Sequence, residues 1–369
     1  MNKNNTDFII WKLKEHSRIK HILLEKYLKA WITILGKYNN EICYFDGFAG
    51  PGEYTGGVIG SPIIALRIAS KLDTYFNKMI CIFIEKDKKH LANLKNHINR
   101  IEQDGDISAK IEISFAESKF EDEINEIFNT VGEGNLIPSF FFIDPFGYND
   151  TPFNTIKKIM NNDKTEIFFT FMVRDVNRFI EARNEEIFNK LFGTDDWKKA
   201  IKNSNNREQS LINLYLRQLH ESAKIKYSTV FKVCATEKCQ TLYYLIHATN
   251  NLKGHIIMKD IMYNLNESHN FAYLGPEDEF NNCPKLFSVY DTKEVKNYLL
   301  NKFSNKKLSF ESIIENVCIP WDEEPPYIEK NYRDALKKLE QEKIIQIERI
   351  TSKTPRGLSG KDFIIFPQS

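Results

Sequence analysis

Between residues 12 and 36 apolar side chains recur near the helical period, at Ile19, Ile22, Leu23, Leu28, Trp31 and Leu35, with lysines and glutamates between them. That spacing predicts an amphipathic helix. Beyond it the pattern changes. "EICYFDG", "KMICIFIEKD", "AKIEISFAE", "SFFFIDP" and "TEIFFTFMV" are short runs rich in Ile and Phe, separated by the helical "SPIIALRIASKL", "KKHLANLKNHINRI", "KFEDEINEIFNTV" and "PFNTIKKIM". Continuous apolar runs, unlike alternating ones, are what burial on both faces of a parallel sheet requires. A helical stretch over about residues 178–222 precedes "TVFKVCATEKCQTLYYLIHAT", two apolar runs around a polar turn, expected as an antiparallel hairpin at the sheet edge. "GHIIMKDIMYNL" is expected to close this α/β, Rossmann-like domain as a helix.

Residues 266–286 are polar and punctuated by Gly and Pro, so they read as a linker. Next come a helix at 292–303, the helical "SFESIIENV" and "YIEKNYRDALKKLEQEKII", then "QIERI" and "DFIIFP" around the basic, Gly-rich "TSKTPRGLSGK". Helices followed by two strands about such a turn predict a winged helix-turn-helix. The expected organisation is an N-terminal helical extension (1–40), the α/β domain (41–265), the linker and a winged-helix domain (287–369).

Net charge is +1, so global charge names no partner. Locally, residues 1–40 carry +5 and residues 330–362 carry +4, patches that suit phosphate or simply solvated helix faces. None of the 6 cysteines stands in C-x-x-C spacing, and no set of residues has metal-ligand spacing, so no metal is expected. Buried free thiols and the absence of a signal-like or membrane-length apolar run point to a cytoplasmic protein without membrane attachment.

The chain has 16 glycines, and Gly47, Gly50 and Gly52 crowd the turn after the first strand, "CYFDGFAGPG". In a parallel sheet that turn borders the ligand site. Glycine there permits a tight turn and leaves no side chain against a nucleotide-like ligand. No G-K-[ST] follows, and Tyr54–Gly60 delay the next helix to about Ser61, so no phosphate sits on its N-terminus. A phosphate-free ligand is favoured. Asp46 ends the first strand, Glu85 the second, where an acid accepts from ribose hydroxyls. Glu117 follows the third strand and has two open readings: contact with an adenine amine, or capping of the next helix, which Ser118 does equally well.

The fourth strand ends "FFFIDPFGY". It resembles the [DN]-P-P-[YFW] motif of amino-methyltransferases, with Asp144 as acceptor for the target amine, Pro145 beside it, and Phe146 or Tyr148 as the stacking ring. Phe146 replaces the second proline of that motif. The succession Asp46–Gly52, Glu85, Glu117 and Asp144 is similar to that of a class I methyltransferase using S-adenosyl-L-methionine.

With "KHILLEKYLKAW", "YFDGFAGPGEY", "FFIDPFGY", "FTFMVRDVNRF" and "YYLIHATNNLKGHIIMKDIMY" assembled, most of the chain resembles the three-Cys-motif partner proteins. That resemblance implies a methyltransferase-like protein associated with a radical-type partner that itself carries the three-cysteine motif. A more distant likeness to ribosomal-RNA adenine-N6 methyltransferases implies Lys20 and His21 at the mouth of the site, Asp46, Ala49, Gly50 and Gly52 in the cofactor loop, and Asp144 at the amine. Gly47, Ser61 and Lys86 adjoin these positions and join the expected cofactor set. The implied activity is N-methylation of a DNA or RNA base. The competing reading is a non-catalytic nucleic-acid-binding scaffold.

Arg174 and Arg178 follow the fifth strand and either clamp a phosphate or pair with Asp175 and Glu181. Lys353, Arg356 and Lys361 surround the expected wing, which suits a DNA or RNA backbone.

Overall fold

In a computed structural model that describes residues 15–132, 134, 136–180, 185–202, 206–235, 240–265, 272–273, 291–350 and 357–368, the first apolar stripe forms helix α1 (Glu15–Tyr38). It buries Leu23, Leu24, Tyr27, Leu28, Trp31 and Ile32. Strand β1 (Glu41–Asp46) leads into the glycine turn and a small hairpin of β2 (Glu53–Tyr54) and β3 (Val58–Ile59). The alternation continues through α2 (Ser61–Lys71), β4 (Lys78–Ile84), α3 (Lys88–Gln103), β5 (Ile111–Ala116), α4 (Phe120–Val131), β6 (Ser139–Ile143), α5 (Phe153–Met160) and β7 (Thr165–Phe171). Asp87 starts α3 because its carboxylate accepts the amides of Lys89 and His90 at 2.8 and 3.0 Å, two of the donors a helix leaves open.

The expected helical stretch is four short helices, α6 (Val173–Phe179), α7 (Glu185–Phe192), α8 (Trp197–Lys202) and α9 (Arg207–Arg217). The hairpin follows as β8 (Tyr227–Ala235) and β9 (Gln240–Thr249), then α10 (Leu252–Asn264) and the short β10 (Ala272–Tyr273). The sheet is eight-stranded, in the order β10-β8-β9-β7-β6-β1-β4-β5. β5, β4, β1, β6 and β7 are mutually parallel, while β9 runs antiparallel to both β7 and β8. The chain winds outward from β1 to β5 and resumes on the other side of β1 at β6, which puts the topological switch point between β1 and β6. A doubly wound sheet with this order and an antiparallel strand beside β7 is the class I methyltransferase-like fold. Its centre is aromatic. Phe45 and Phe141 face each other across β1 and β6 with ring centroids 4.1 Å apart and planes 2° apart.

The chain divides into two compact units, the first holding the residues up to Asn250 and Tyr273, the second Asn251–Ala272 and the described residues from 291 onward. Helix α10 therefore groups with the second unit, where the sequence placed it at the close of the α/β domain. The reason is a buried ion pair within that unit: His255 lies 2.9 Å from Glu324, and Lys259 donates to the same carboxylate and, at 2.8 Å, to the Pro325 carbonyl. The linker expected at 266–286 falls outside the described residues except for β10.

The rest of the second unit is the winged fold, with α11 (Thr292–Phe303), β11 (Lys307–Ser309), α12 (Phe310–Val317), α13 (Glu329–Gln341), β12 (Gln346–Glu348) and β13 (Phe363–Ile365). β13 is the middle strand of a three-stranded sheet, antiparallel to β11 and β12. β11 was not foreseen, because a three-residue strand is too short to display a period.

Candidate active site

The turn after β1 is held by main-chain bonds across three strand ends. Gly47 donates to the Phe142 carbonyl and Ala49 to the Ile84 carbonyl, both at 2.9 Å, and Gly50 donates to the Glu85 carboxylate at 2.9 Å. Gly50 takes φ +63° with nothing within 4 Å of where a Cβ would stand, so its missing side chain leaves open space. Gly47 has a different cause, and Gly52 has both, since it also takes φ +81°. A Cβ there would lie 2.7 Å from the Phe120 ring and 2.7 Å from Leu94 respectively, so these glycines admit close packing.

Glu85 is buried, with one oxygen on Gly50 N–H and the other on Asp87 N–H at 2.8 Å. Each oxygen keeps further acceptor capacity, which suits a pair of hydroxyls. Glu85 lines a cavity of about 160 Å³ together with Gly47, Lys86, Ser118, Phe120 and Phe146. Lys86 is paired with Asp150, 3.1 Å away and also in the lining. Glu117 is exposed and outside this cavity; Ser118 and Glu121 take the place the sequence gave it.

Asp46 is fully buried and does not line the cavity. Its carboxyl accepts from Phe48 N–H and Tyr44 O–H, both at 3.3 Å, and from Ser61. Burial outweighs these bonds and pushes its pKa up to about 7. Asp46 thus acts on the loop, as does Ser61, and neither touches the cavity.

Beside this rim lies a second cluster. In the parallel register Asp46 is level with Phe142, so Asp144 stands two residues further out on the neighbouring strand. The Lys20 ammonium is 2.6 Å from Asp144 Oδ1, and Thr170 O–H donates to the same oxygen at 2.7 Å. Lys20 is buried and sits 4.4 Å from the Tyr243 ring centroid, a cation over a π face. Among the described residues Asp144 Oδ2 makes no hydrogen bond. His21 faces Tyr54 at 6.2 Å between ring centroids, and burial holds its pKa down at about 4, against the attraction of Asp144. His21 is therefore neutral at physiological pH. Tyr54 is pushed well up by burial and by the charges of Asp144 and Asp46.

Phe146 and Tyr148 differ in exposure and packing. Phe146 is 60% exposed at the cavity, whereas Tyr148 is stacked on Phe188 at 5.3 Å and 4°. Pro145 is buried between them and Asp144. Arg174 lies 3.6 Å from Asp175, the pairing reading, while the Arg178 guanidinium lies 5.2 Å from the centroid of the Phe179 ring, which stays 39% exposed. Lys353 and Arg356 lie outside the described residues, and Lys361 is exposed beside the wing strand β13.

Reading the sequence missed Thr170, Tyr243 and Asp150. Thr170 had a signal, since it is the one polar residue inside the apolar "IFFTF". It missed as well that His255, Cys318 and Glu324 bring ligand-type atoms within 4.8 Å of one another. There Lys259 already supplies Glu324 with a cation, and the Lys259 and His255 charges hold the carboxyl down at about 2. The arrangement is an ion-paired cluster.

The sheet order defines the class, a methyltransferase-like Rossmann domain joined to a winged helix. Residues 276–351 match the family model described as a GMT-like wHTH domain. No curated protein matches the chain. Among solved structures, LPL1258 from Legionella pneumophila is similar at 9% identity over 62% of this chain and 85% of that one, with a TM-score of 0.38. A putative O-methyltransferase from Klebsiella pneumoniae is similar at 10% identity over 66% and 93%, with a TM-score of 0.33. The methyltransferase domain of bacterial CtHen1-C is similar at 9% identity over 62% and 100%, with a TM-score of 0.31. The fold assignment above stands on strand order and register. No described helix is long and apolar enough to cross a membrane.

Proposed function

We propose that the first unit is an S-adenosyl-L-methionine-dependent methyltransferase acting on an exocyclic amine of a nucleic-acid base. The observation that carries this reading is the buried Glu85 in the cavity, bonded to the glycine turn by Gly50 N–H, one strand away from β1 and two from Asp144. The residues fit the cofactor: Glu85 keeps acceptor capacity for ribose hydroxyls, and the φ and open space at Gly50 leave room for a nucleoside. When bound, the cofactor supplies an electrophilic methyl group.

The chain's own residues then do the rest. Asp144 Oδ2 accepts a hydrogen bond from the acceptor amine, raising lone-pair density on nitrogen. Phe146 offers a π face to the displaced base. Lys20 and Thr170 hold Oδ1 and so fix the carboxylate's orientation. The proton released by the amine leaves through Asp144 to solvent.

The second reading is a non-catalytic nucleic-acid-binding partner of a three-cysteine, radical-type protein. The Lys20–Asp144 ion pair favours it, since a carboxylate so paired is a weaker acceptor. Isothermal titration with S-adenosyl-L-methionine decides the cofactor step, with binding expected for the native chain and lost in Glu85→Ala. Nucleoside mass spectrometry after incubation with DNA or RNA decides the transfer, with Asp144→Ala as control. No binding at millimolar cofactor refutes the proposal.

A further inference from the structure

The loops after the neighbouring strands β6 and β7 are joined by a ladder of rings. Trp197 packs on Phe188 at 5.4 Å, Phe188 on Tyr148 at 5.3 Å and 4°, and Tyr148 on Phe179 at 5.9 Å and 24°. The inner end is anchored, with Phe188 0% and Trp197 4% exposed, while Phe179 at the outer end is 39% exposed. A buried foundation fixes the plane of the outer ring, so a ligand stacking there meets a surface that needs little ordering.

Charge narrows the ligand. Arg174 and Arg178 are both exposed and stand four residues apart on α6, hence on one face. The Arg178 guanidinium lies 5.2 Å from the Phe179 ring centroid, and Phe146, 60% exposed, stands in the same loop as Tyr148, two residues after Asp144. Flat aromatic faces interleaved with guanidinium groups match a strand whose bases are unstacked and whose phosphates run alongside. In a duplex the bases are already stacked on each other and offer no such face.

We infer that Phe179, braced by Tyr148 and Phe188, stacks a base that neighbours the target in single-stranded nucleic acid, with Arg178 on the adjoining phosphate. This rests on the reading of the first unit as a base methyltransferase and names its substrate form.

The test uses the full chain and a single-stranded oligonucleotide of about 12 nucleotides carrying 2-aminopurine, whose fluorescence is quenched by stacking. Binding with quenching is expected, weakened about tenfold in Phe179→Ala and in Arg178→Ala. Quenching is lost in Phe179→Ala and kept in Phe179→Trp. Equal binding and quenching by the native chain and Phe179→Ala overturns the inference, as does absence of oligonucleotide binding or a preference for the annealed duplex. A protein partner for this surface would show itself as that absence. Cofactor titration on the same samples separates the two readings: Glu85-dependent cofactor binding without stacking defeats this inference alone, and stacking without cofactor binding defeats the methyltransferase reading alone.

Discussion

Asp46→Asn isolates an electrostatic cost of the glycine turn after β1. The carboxyl is fully buried, and its pKa of about 7 stands above its ordinary 3.8. The folded state thus favours the protonated form. The stability this contributes is complete below pH 3.8 and is lost as pH rises through about 7, after which it stays level. Three units at about 1.4 kcal/mol each give a loss of up to about 4 kcal/mol across that window. Asn has the shape of the protonated acid, keeps an acceptor for Phe48 N–H, and does not titrate. Urea unfolding at intervals from pH 4 to pH 8 is the assay, read as midpoints at constant slope. The variant is expected to match the native protein near pH 4 and to exceed it by a few kcal/mol at pH 8. Parallel curves would refute the reasoning, because they would show that Asp46 is ionised at no cost and is balanced by groups other than Tyr44, Ser61 and the Phe48 amide.

Three further outcomes follow from the same physics. His21, held down at about 4 from 6.5, contributes stability that is complete above pH 6.5 and falls away toward pH 4, by up to about 3 kcal/mol; His21→Gln should remove that acid loss in the same urea series. Its slope opposes that of Asp46, so the native protein should vary less between pH 4 and 7 than either variant. Phe141→Ala opens a cavity against Phe45 in the sheet centre and should cost about 3–5 kcal/mol in urea unfolding. Glu324→Ala leaves buried Lys259 and His255 without their shared acceptor and should cost about 3–5 kcal/mol, read as a lowered thermal transition.

The parallel sheet was legible because its strands are unbroken Ile/Phe runs and because the acids stand at their ends. That logic singled out Glu85 and Phe146, which line the cavity, and Gly50, which bonds to Glu85. What remained hidden depends on long-range approach. Tyr243 meets Lys20 only once β9 inserts beside β7, and His255 meets Glu324 only once α10 joins the second unit. Glu117 was open between two readings in the sequence, and it is exposed and outside the cavity lining. Here Phe120 packs against Gly47 and lines the cavity together with Ser118. Gly47 lines the cavity and also makes room for Phe120, while Gly52 answers to Leu94 and to its own positive φ.

The lacing of the glycine turn to Phe142, Ile84 and Glu85 runs almost wholly through peptide groups. Its shape is thus set by the backbone, and the side chains matter chiefly where they must be absent, at Gly47, Gly50 and Gly52. Lengthening or shortening it by a single residue would instead unpick three attachments at once. For redesign, the turn therefore resists a change of length as firmly as it resists a side chain at its three glycines.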